Sequence, residues 1–169
     1  TLLLLGRAVA QEPDIITGEG PDRLGHALLV QDLNGDGKAE IIATAPSFTQ
    51  EGRKLRAHLI GRLVIVRGGT EKKGADTFVN WRGALSGDYF GRSVAVGDAN
   101  GDGFVDLLVG APGRNKLSGM CHLILGGKAG GEVMGGGTGA DANLTILGAS
   151  VNAKLGHAVA MGDLDGDGK

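Results

Sequence analysis

Short apolar runs bounded by glycine, proline, asparagine or aspartate recur along the chain, and none follows a helical period. Runs of this kind have the length and the boundaries of β-strands. Each full repeat of the pattern contains four runs, the number of strands in a propeller blade. The runs cover residues 15–16, 27–30, 41–44, 63–66, 78–81, 93–96, 107–110, 121–125, 144–147 and 158–161. The pattern therefore predicts an all-β protein built from four-stranded antiparallel blades.

The repeat has a nearly constant length. Gly18, Gly83 and Gly148 lie 65 residues apart in both intervals, and the acidic stretches beginning at Asp32 and Asp98 are 66 residues apart. A period of this kind indicates repeated supersecondary units that bury their faces against one another. We assign the first repeat to residues 11–80, the second to 81–145 and a truncated third to 146–169, and we expect the chain to be a fragment of a longer one.

The composition favours a turn-rich β-protein. Glycine is the commonest of the 169 residues, at 33, and an interior glycine would cost a helix roughly 1 kcal/mol. An apolar fraction of 41% is enough for a core and argues against disorder. The single cysteine, Cys121, cannot form an intrachain disulfide. We interpret the glycine-rich stretch at 130–139 as a flexible turn, because no Lys-Ser/Thr and helix follow it as in a phosphate-binding loop.

The N-terminal stretch has two interpretations. Residues 2–11 combine an apolar run with small residues before Gln11, which is typical of the end of a secretory signal peptide. We therefore interpret residues 1–10 as a signal-peptide remnant, with an ordinary buried strand as the alternative. No run of about 20 apolar residues is present, so the sequence predicts no transmembrane segment.

Charge is balanced overall but concentrated locally. Seventeen basic and nineteen acidic residues give a formal net charge of −2, which provides no general attraction to nucleic acid. Nine of the nineteen acidic residues nevertheless lie in three loops that recur with the repeat. Such crowding of like charges indicates a bound cation, and folding is then expected to be coupled to metal binding.

The second loop shows the ligand pattern most fully. Counted from Asp98, side-chain oxygens stand at positions 1, 3, 5 and 9 (Asp98, Asn100, Asp102, Asp106), and Phe104 at position 7 offers its backbone carbonyl. Alternate residues of a tightly curled loop turn inward, and the intervening glycines permit the curl. Several hard oxygens suit Ca²⁺, whereas Mg²⁺ demands octahedral geometry and zinc would need His or Cys ligands. We therefore predict a calcium site.

The other two loops repeat this pattern. The predicted ligands are Asp32, Asn34, Asp36, the carbonyl of Lys38 and Glu40 in the first loop, and Asp163, Asp165 and Asp167 in the third. The third loop lacks position 9, so we predict a weak site there. One such loop could be a plain turn, but three in register favour a metal. EF-hand and dockerin loops need an acid at position 12. This chain has Ala43 or Val109 there, so the loops belong to neither of these calcium-binding families.

The motif order resembles a known family. Residues 90–91 are Phe-Gly, the acidic loop follows, and residues 110–112 are Gly-Ala-Pro, as in the FG-GAP repeat of integrin α-subunit propellers and related secreted proteins. Leu-Gly replaces Phe-Gly at 24–25 and 155–156, and Thr-Ala-Pro stands at 44–46. The resemblance implies a partial β-propeller, about two and a half repeats of a seven-bladed parent. It also implies calcium loops on one face, binding surfaces on the other, and packing against the remaining blades.

No catalytic constellation is evident. The histidines show no pairing with a nucleophile, and a general base would need a partner within hydrogen-bond reach. His26 and His157, with Arg92 between them in the repeat, are predicted to be structural or surface residues, and Cys121 and Trp81 to be core. We expect a secreted or cell-surface module, not an enzyme, that binds a protein or carbohydrate ligand and no nucleic acid. The alternative is the accessory propeller of a secreted hydrolase or polysaccharide-degrading enzyme, and a calcium buffer is a weaker third hypothesis.

Overall fold

The computed structural model of the chain describes residues 22–49, 59–68, 78–163 and 166. Two sheets form within these residues, each built on four antiparallel strands in sequence order. The first contains β1 (Leu28–Gln31), β2 (Glu40–Ala45), β3 (Arg62–Val66) and β4 (Phe78–Arg82). The second contains β5 (Ser93–Gly97), β6 (Asp106–Ala111), β7 (Met120–Ile124) and β9 (Leu144–Leu147). The two-residue strand β8 (Gly137–Thr138) pairs in parallel with β4, and α1 (Arg114–Leu117) is a single helical turn.

The sheets confirm the all-β prediction and its four-stranded antiparallel blades. Eight predicted runs coincide with strands, while the run at 15–16 lies outside the described residues. The run at 158–161 was predicted to be a strand and is irregular in the structure. A strand needs a neighbour for its backbone hydrogen bonds, and no described strand pairs with these residues.

Blade and sequence repeat are out of phase by one strand. The second and third repeats were assigned to begin at residues 81 and 146, but β4 and β9, which contain these residues, are each the last strand of the preceding sheet. The assigned boundary between residues 80 and 81 therefore falls inside β4, and the boundary between 145 and 146 falls inside β9. Periodicity alone fixes the length of a repeat but not the strand with which a blade begins.

A single hydrophobic core joins the two blades. Its buried cluster draws Leu63 and Trp81 from the first sheet, Leu107 and Val109 from the second, and Phe90 from the connection between them. Equivalent positions change exposure according to their place in the stack. Ile41 on β2 is 45% exposed, whereas its counterpart Leu107 on β6 is fully buried. Each blade thus has one apolar face covered by its neighbour, and the two outer faces remain open in the described part of the chain.

The Phe-Gly motif makes the contact between blades. Phe90 is fully buried and forms an isolated parallel bridge with Gly61, the residue before β3. Gly91 has a φ of 81°, in the left-handed region that favours glycine, and a Cβ there would lie 2.8 Å from the Arg62 carbonyl oxygen and 3.2 Å from Thr44 Cβ. The motif is glycine because the backbone of one blade lies directly against the preceding blade.

The glycine-rich stretch is an ordered strap, in contrast to the flexible turn that we predicted. It contains 3₁₀ turns at Lys128–Gly130 and Gly139–Asp141, and β8 lies between them. Val133 is fully buried, and its carbonyl oxygen accepts a 3.0 Å hydrogen bond from Trp81 Nε1. A segment leaving the second blade therefore returns to cover the first.

No helix in the described residues is long and apolar enough to cross a membrane.

The close approach at Gly91 generates a test of the blade contact. Gly91→Ala should cost about 1–3 kcal/mol more free energy of unfolding than Gly87→Ala, because only Gly91 has backbone in the path of a new methyl group. Gly87 is a matched control, with a φ of 83° and no atom within 4 Å of a built Cβ. Urea unfolding of both variants measures the difference. Equal losses would show that left-handed backbone, not contact between blades, accounts for the glycine.

Candidate metal centre

The acidic loops connect strands at the same end of both sheets. The first connects β1 to β2, whose last and first residues, Gln31 and Glu40, are paired across the ladder. The second connects β5 to β6 in the same way, with Gly97 opposite Asp106. An antiparallel pair thus holds both ends of each loop and forces the intervening residues to curl. The outer parts of both loops are exposed to solvent.

The first aspartate of the second loop organises the curl. Asp98 accepts amide hydrogen bonds from Gly101 at Oδ1 and from Gly103 at Oδ2, both 2.7 Å long. Gly101 and Gly103 have φ values of 74° and 86°, which glycine adopts without steric cost. Asp32 holds Gly35 and Gly37 equivalently, at 2.7 and 2.8 Å. The glycines predicted from sequence therefore allow the loop to wrap around its first carboxylate.

The side chains at positions 3 and 5 repeat the same local bond. Asn100 Oδ1 accepts from the amide of Asp102 at 3.1 Å, and Asp102 Oδ1 accepts from the amide of Phe104 at 2.9 Å. The first loop has the corresponding bonds from Asp36 to Asn34 and from Lys38 to Asp36. In the third, Asp163 accepts from Gly166 at 2.6 Å, whereas Asp165 and Asp167 lie outside the described residues. Lys38 and Phe104 contribute amides here, and their carbonyls remain predicted ligands.

The acid at position 9 is buried and braces the loop from below. Asp106 accepts 2.7 Å hydrogen bonds from the amides of Ala99 and Gly126, one on each oxygen. Glu40 likewise accepts from Leu33 at 2.8 Å and from Gly68 at 3.3 Å. Both carboxylates are fully buried. Each joins the loop to the segment that follows the third strand, a role that the sequence did not predict.

A sequence signal for this brace exists in the glycines that donate to it. Gly68 and Gly126 follow β3 and β7 at equivalent places. A Cβ at Gly68 would lie 2.2 Å from the Ala39 carbonyl oxygen, and one at Gly126 would lie 2.1 Å from that of Val105. The chain after the third strand therefore has to be glycine to approach the loop. The recurring Gly-Gly pair after each third strand marks this contact.

Amide hydrogen bonds also shift the loop pKa values. The amide of Gly37 is the main reason that the pKa of Asp32 is lowered from its ordinary value. At Asp98 desolvation is the largest single influence and raises the pKa, but the hydrogen bonds from the backbone amides of the loop, led by Gly103 and Gly101, act together to lower it. A lowered pKa favours the folded state above about pH 4, and that contribution disappears as the pH falls through the folded pKa.

The donor chemistry fits Ca²⁺, although the acids alone do not form a cluster. No group of three or more His, Cys, Asp or Glu side chains in the described residues is placed to hold a metal ion. In each loop the third acid accepts hydrogen bonds from backbone amides. A carboxylate has about four lone-pair sites, so oxygens that accept one amide keep capacity for a cation. Carboxylate, amide and carbonyl oxygens are what calcium takes.

The remaining candidate residues lie away from the loops. Cys121 and Trp81 are buried in the core as predicted, and burial raises the pKa of the Cys121 thiol. His122 is buried against Phe90 and shares a 3.0 Å hydrogen bond with Thr145 across β7 and β9. Burial, followed by the charge of Arg114, lowers the pKa of His122. This bond links a cross-strand pair and is part of the sheet.

Two family models match the region that contains these loops. The FG-GAP repeat matches residues 90–133, and the FG-GAP-like repeat matches residues 32–109. The chain belongs to the FG-GAP repeat family. The resemblance inferred from the motif order is thereby confirmed, and with it the interpretation of each sheet as a β-propeller blade.

Relatives of this FG-GAP chain fall into two kinds. It is 32% identical over 158 residues to phosphatidylinositol-glycan-specific phospholipase D of Rattus norvegicus, which is 87% of this chain and 18% of the relative. It is 30% identical over 154 residues to integrin alpha-V of Gallus gallus, 86% of this chain and 13% of the relative. Integrin alpha-PS2 of Drosophila melanogaster is 35% identical over 91 residues. The chain thus spans less than a fifth of the length of these proteins.

The brace generates a prediction that does not depend on metal. Asp106→Asn should lower the free energy of unfolding by about 1–3 kcal/mol in calcium-free buffer, because the new amide turns an N–H toward a backbone N–H. Asp102→Asn is the matched control, since its side chain is exposed and accepts only within the loop. Chemical denaturation in EDTA compares the two. A loss at Asp106 no larger than at Asp102 would contradict the bracing role.

Proposed function

We propose that the chain is a calcium-stabilised segment of an extracellular β-propeller that binds a protein or carbohydrate ligand. The observation that carries this proposal is the recurrence of one loop, with the same hydrogen bonds, at the same edge of two successive blades. Loops that only turn the chain would not need an acid or amide at every alternate position. A shared cation requirement explains why the positions are kept.

Calcium would be held by oxygens that face into the curl. In the second loop these are the side chains of Asp98, Asn100 and Asp102, with the carbonyl of Phe104 completing the set. Asp32, Asn34, Asp36 and the carbonyl of Lys38 would do the same in the first loop, and Asp163, Asp165 and Asp167 in the third. Bound calcium would offset the repulsion between neighbouring carboxylates and so stabilise the blade. Glu40 and Asp106 would position the loop and, as predicted from the sequence, would each also contribute an oxygen.

The open faces of the two blades support a larger propeller. On the first sheet Leu28, Val30 and Ile41 are exposed on one face, where the equivalent residues of the second sheet pack on its neighbour. On the second sheet Leu144 is 51% exposed, whereas its counterpart Val79 is 6% exposed. Burying exposed apolar area of this kind lowers the free energy by about 25 cal/mol per Å². We propose that further blades cover both faces.

A binding role is favoured over catalysis. The described histidines contact arginine or a cross-strand threonine, and the loop carboxylates bond to amides. Neither arrangement provides an activated nucleophile with its base. The family resemblance to integrin α-subunits and secreted proteins supports an extracellular location and adhesion.

The second candidate is an accessory propeller in a secreted enzyme. The observation that favours it is the similarity to a phosphatidylinositol-glycan-specific phospholipase D over 87% of the chain. The remainder of the open reading frame distinguishes the two candidates. Further repeats alone favour the binding module, whereas an adjoining hydrolase domain favours the accessory role.

Calcium removal tests the proposed function. EDTA should lower the melting temperature of the protein, and excess Ca²⁺ should restore it, because a ligand that binds only the folded state stabilises it by mass action. Asp102→Ala should reduce the calcium-dependent part of this shift. We expect calorimetric titration to give a dissociation constant of about 10⁻⁴–10⁻³ M, as for extracellular modules.

Glu132→Gln provides the matched control, because it removes one exposed acid that lies outside the loops. It should melt like the parent protein with and without calcium. A melting temperature that chelation leaves unchanged would refute the metal assignment. An equal reduction in both variants would show that calcium acts through general surface charge.

A further inference from the structure

Three residues that are far apart in sequence meet at the end of the sheets opposite the acidic loops. His26, Arg92 and His157 each follow the glycine of the Phe-Gly or Leu-Gly motif in successive repeats. In the structure Arg92 Nη1 donates to His26 Nε2 at 2.5 Å, and Arg92 Nη2 donates to His157 Nε2 at 3.5 Å. Residues one period apart are thus brought side by side by the stacking of blades. Together with Arg23 and Lys154 we call them the basic row.

The hydrogen-bond chemistry of the row leaves it rich in donors. A guanidinium has five N–H donors and no acceptor, so both imidazoles accept at Nε2 and carry their hydrogen on Nδ1. The described residues provide no carboxylate in an ion pair with Arg92. Burial, then the charges of Arg92 and Arg23, lowers the pKa of His26. The row is therefore a group of cationic and N–H donor side chains that lacks a counterion within the described chain.

A small cavity adjoins the row at the boundary between the second blade and the third repeat. Its volume is about 180 Å³, and Arg92, Lys154 and His157 line it together with the ring of Tyr89 and the side chain of Leu117. The side chains of Arg92, Lys154 and His157 thus border a cavity whose lining is otherwise mostly apolar. Apolar walls strengthen the attraction between these donors and an anion, because they lower the local dielectric.

The backbone holds this arrangement in every repeat. Arg23, Tyr89 and Lys154 are equivalent residues and have φ values of 60°, 55° and 52°, which are uncommon outside glycine. Each precedes the apolar residue of the motif by one position, so the left-handed turn presents one side chain before the motif and another after it. Backbone strain of this kind persists only where the surrounding structure fixes it.

The row and the acidic loops lie at opposite ends of β1 and β5, the first strands of the two sheets. Arg92 precedes β5 and Asp98 follows it, and a five-residue strand spans roughly 17 Å. Cations proposed for the loops therefore do not neutralise the row. β5 thus separates the acidic loop at one end of the blade from the basic row at the other end.

We propose that the basic row is a binding site for an oxyanion group, which Arg92, Lys154 and His157 contact in the cavity between blades. The guanidinium offers paired N–H groups that match a sulfate, phosphate or carboxylate. The proposal deepens the binding role inferred above by naming the chemistry of one ligand group. The anion site does not depend on calcium. If no anion binds, the predicted fall in melting temperature in EDTA can still occur, so the two proposals fail separately.

The test uses three probes, sodium sulfate, inorganic phosphate and sodium acetate. Each is titrated calorimetrically into the full-length protein at constant ionic strength, and the order of affinities shows which oxyanion the site prefers. Arg92→Met should weaken binding about tenfold, as expected for the loss of one charge-assisted hydrogen bond. Lys154→Met is a second variant of the site. Lys128→Met is the matched control, because it removes an exposed charge at the loop end of the sheet.

Histidine NMR provides a second readout. By linkage, an anion that prefers the protonated row should raise the pKa of His26, while the resonances of the buried His122 stay unchanged as an internal reference. Saturable binding that weakens in Arg92→Met and Lys154→Met but not in Lys128→Met supports the site. Absence of saturable binding by all three anions, or equal weakening in the control, overturns it.

Discussion

The buried carboxylate at the ninth loop position is the interaction on which the rest of each blade depends. Glu40 and Asp106 join the acidic loop to the end of the third strand through paired amide hydrogen bonds. Removing such an acceptor would leave backbone amides without their partner, at a cost of about 1–3 kcal/mol where the amide is buried, as at Leu33. The brace consists of hydrogen bonds within the chain, so it does not itself require a cation. Calcium would add to the stability of the curl.

The second constraint is the close contact between blades. Gly91 lies against Arg62 and Thr44, and Gly156 lies against Gly110 and Met120 in the same manner. The Phe-Gly and Gly-Ala parts of the motif are therefore two sides of one interface, separated in sequence but joined in space. The same stacking places Arg92 between two histidines of neighbouring repeats. One geometric operation, the step from blade to blade, thus produces the core, the exposed outer faces and the basic row.

Local features were predictable from the sequence, and non-local ones were not. Apolar runs gave the strands, and alternating oxygens gave the loops, because both patterns depend on a few adjacent residues. The assignment of β4 and β9 to sheets depends on pairing between distant segments, so the period could not show it. Val133 in the glycine-rich strap is buried against the other blade, where Trp81 Nε1 donates a hydrogen bond to its carbonyl oxygen. At position 9 a ligand and a brace require the same residue type, so the acid alone does not reveal the brace, whereas the glycines that donate to it after each third strand do.

Anomalous diffraction from crystals of the full-length protein grown with calcium chloride tests the central claim most directly. The account predicts a calcium peak within each of the first two loops, bound by the oxygens of Asp98, Asn100 and Asp102 in the second. Asp106 should keep its bonds to the amides of Ala99 and Gly126 in the same crystal. Loops without a peak at millimolar calcium, or a calcium ion that displaces the Asp106 carboxylate from both amides, would contradict the account.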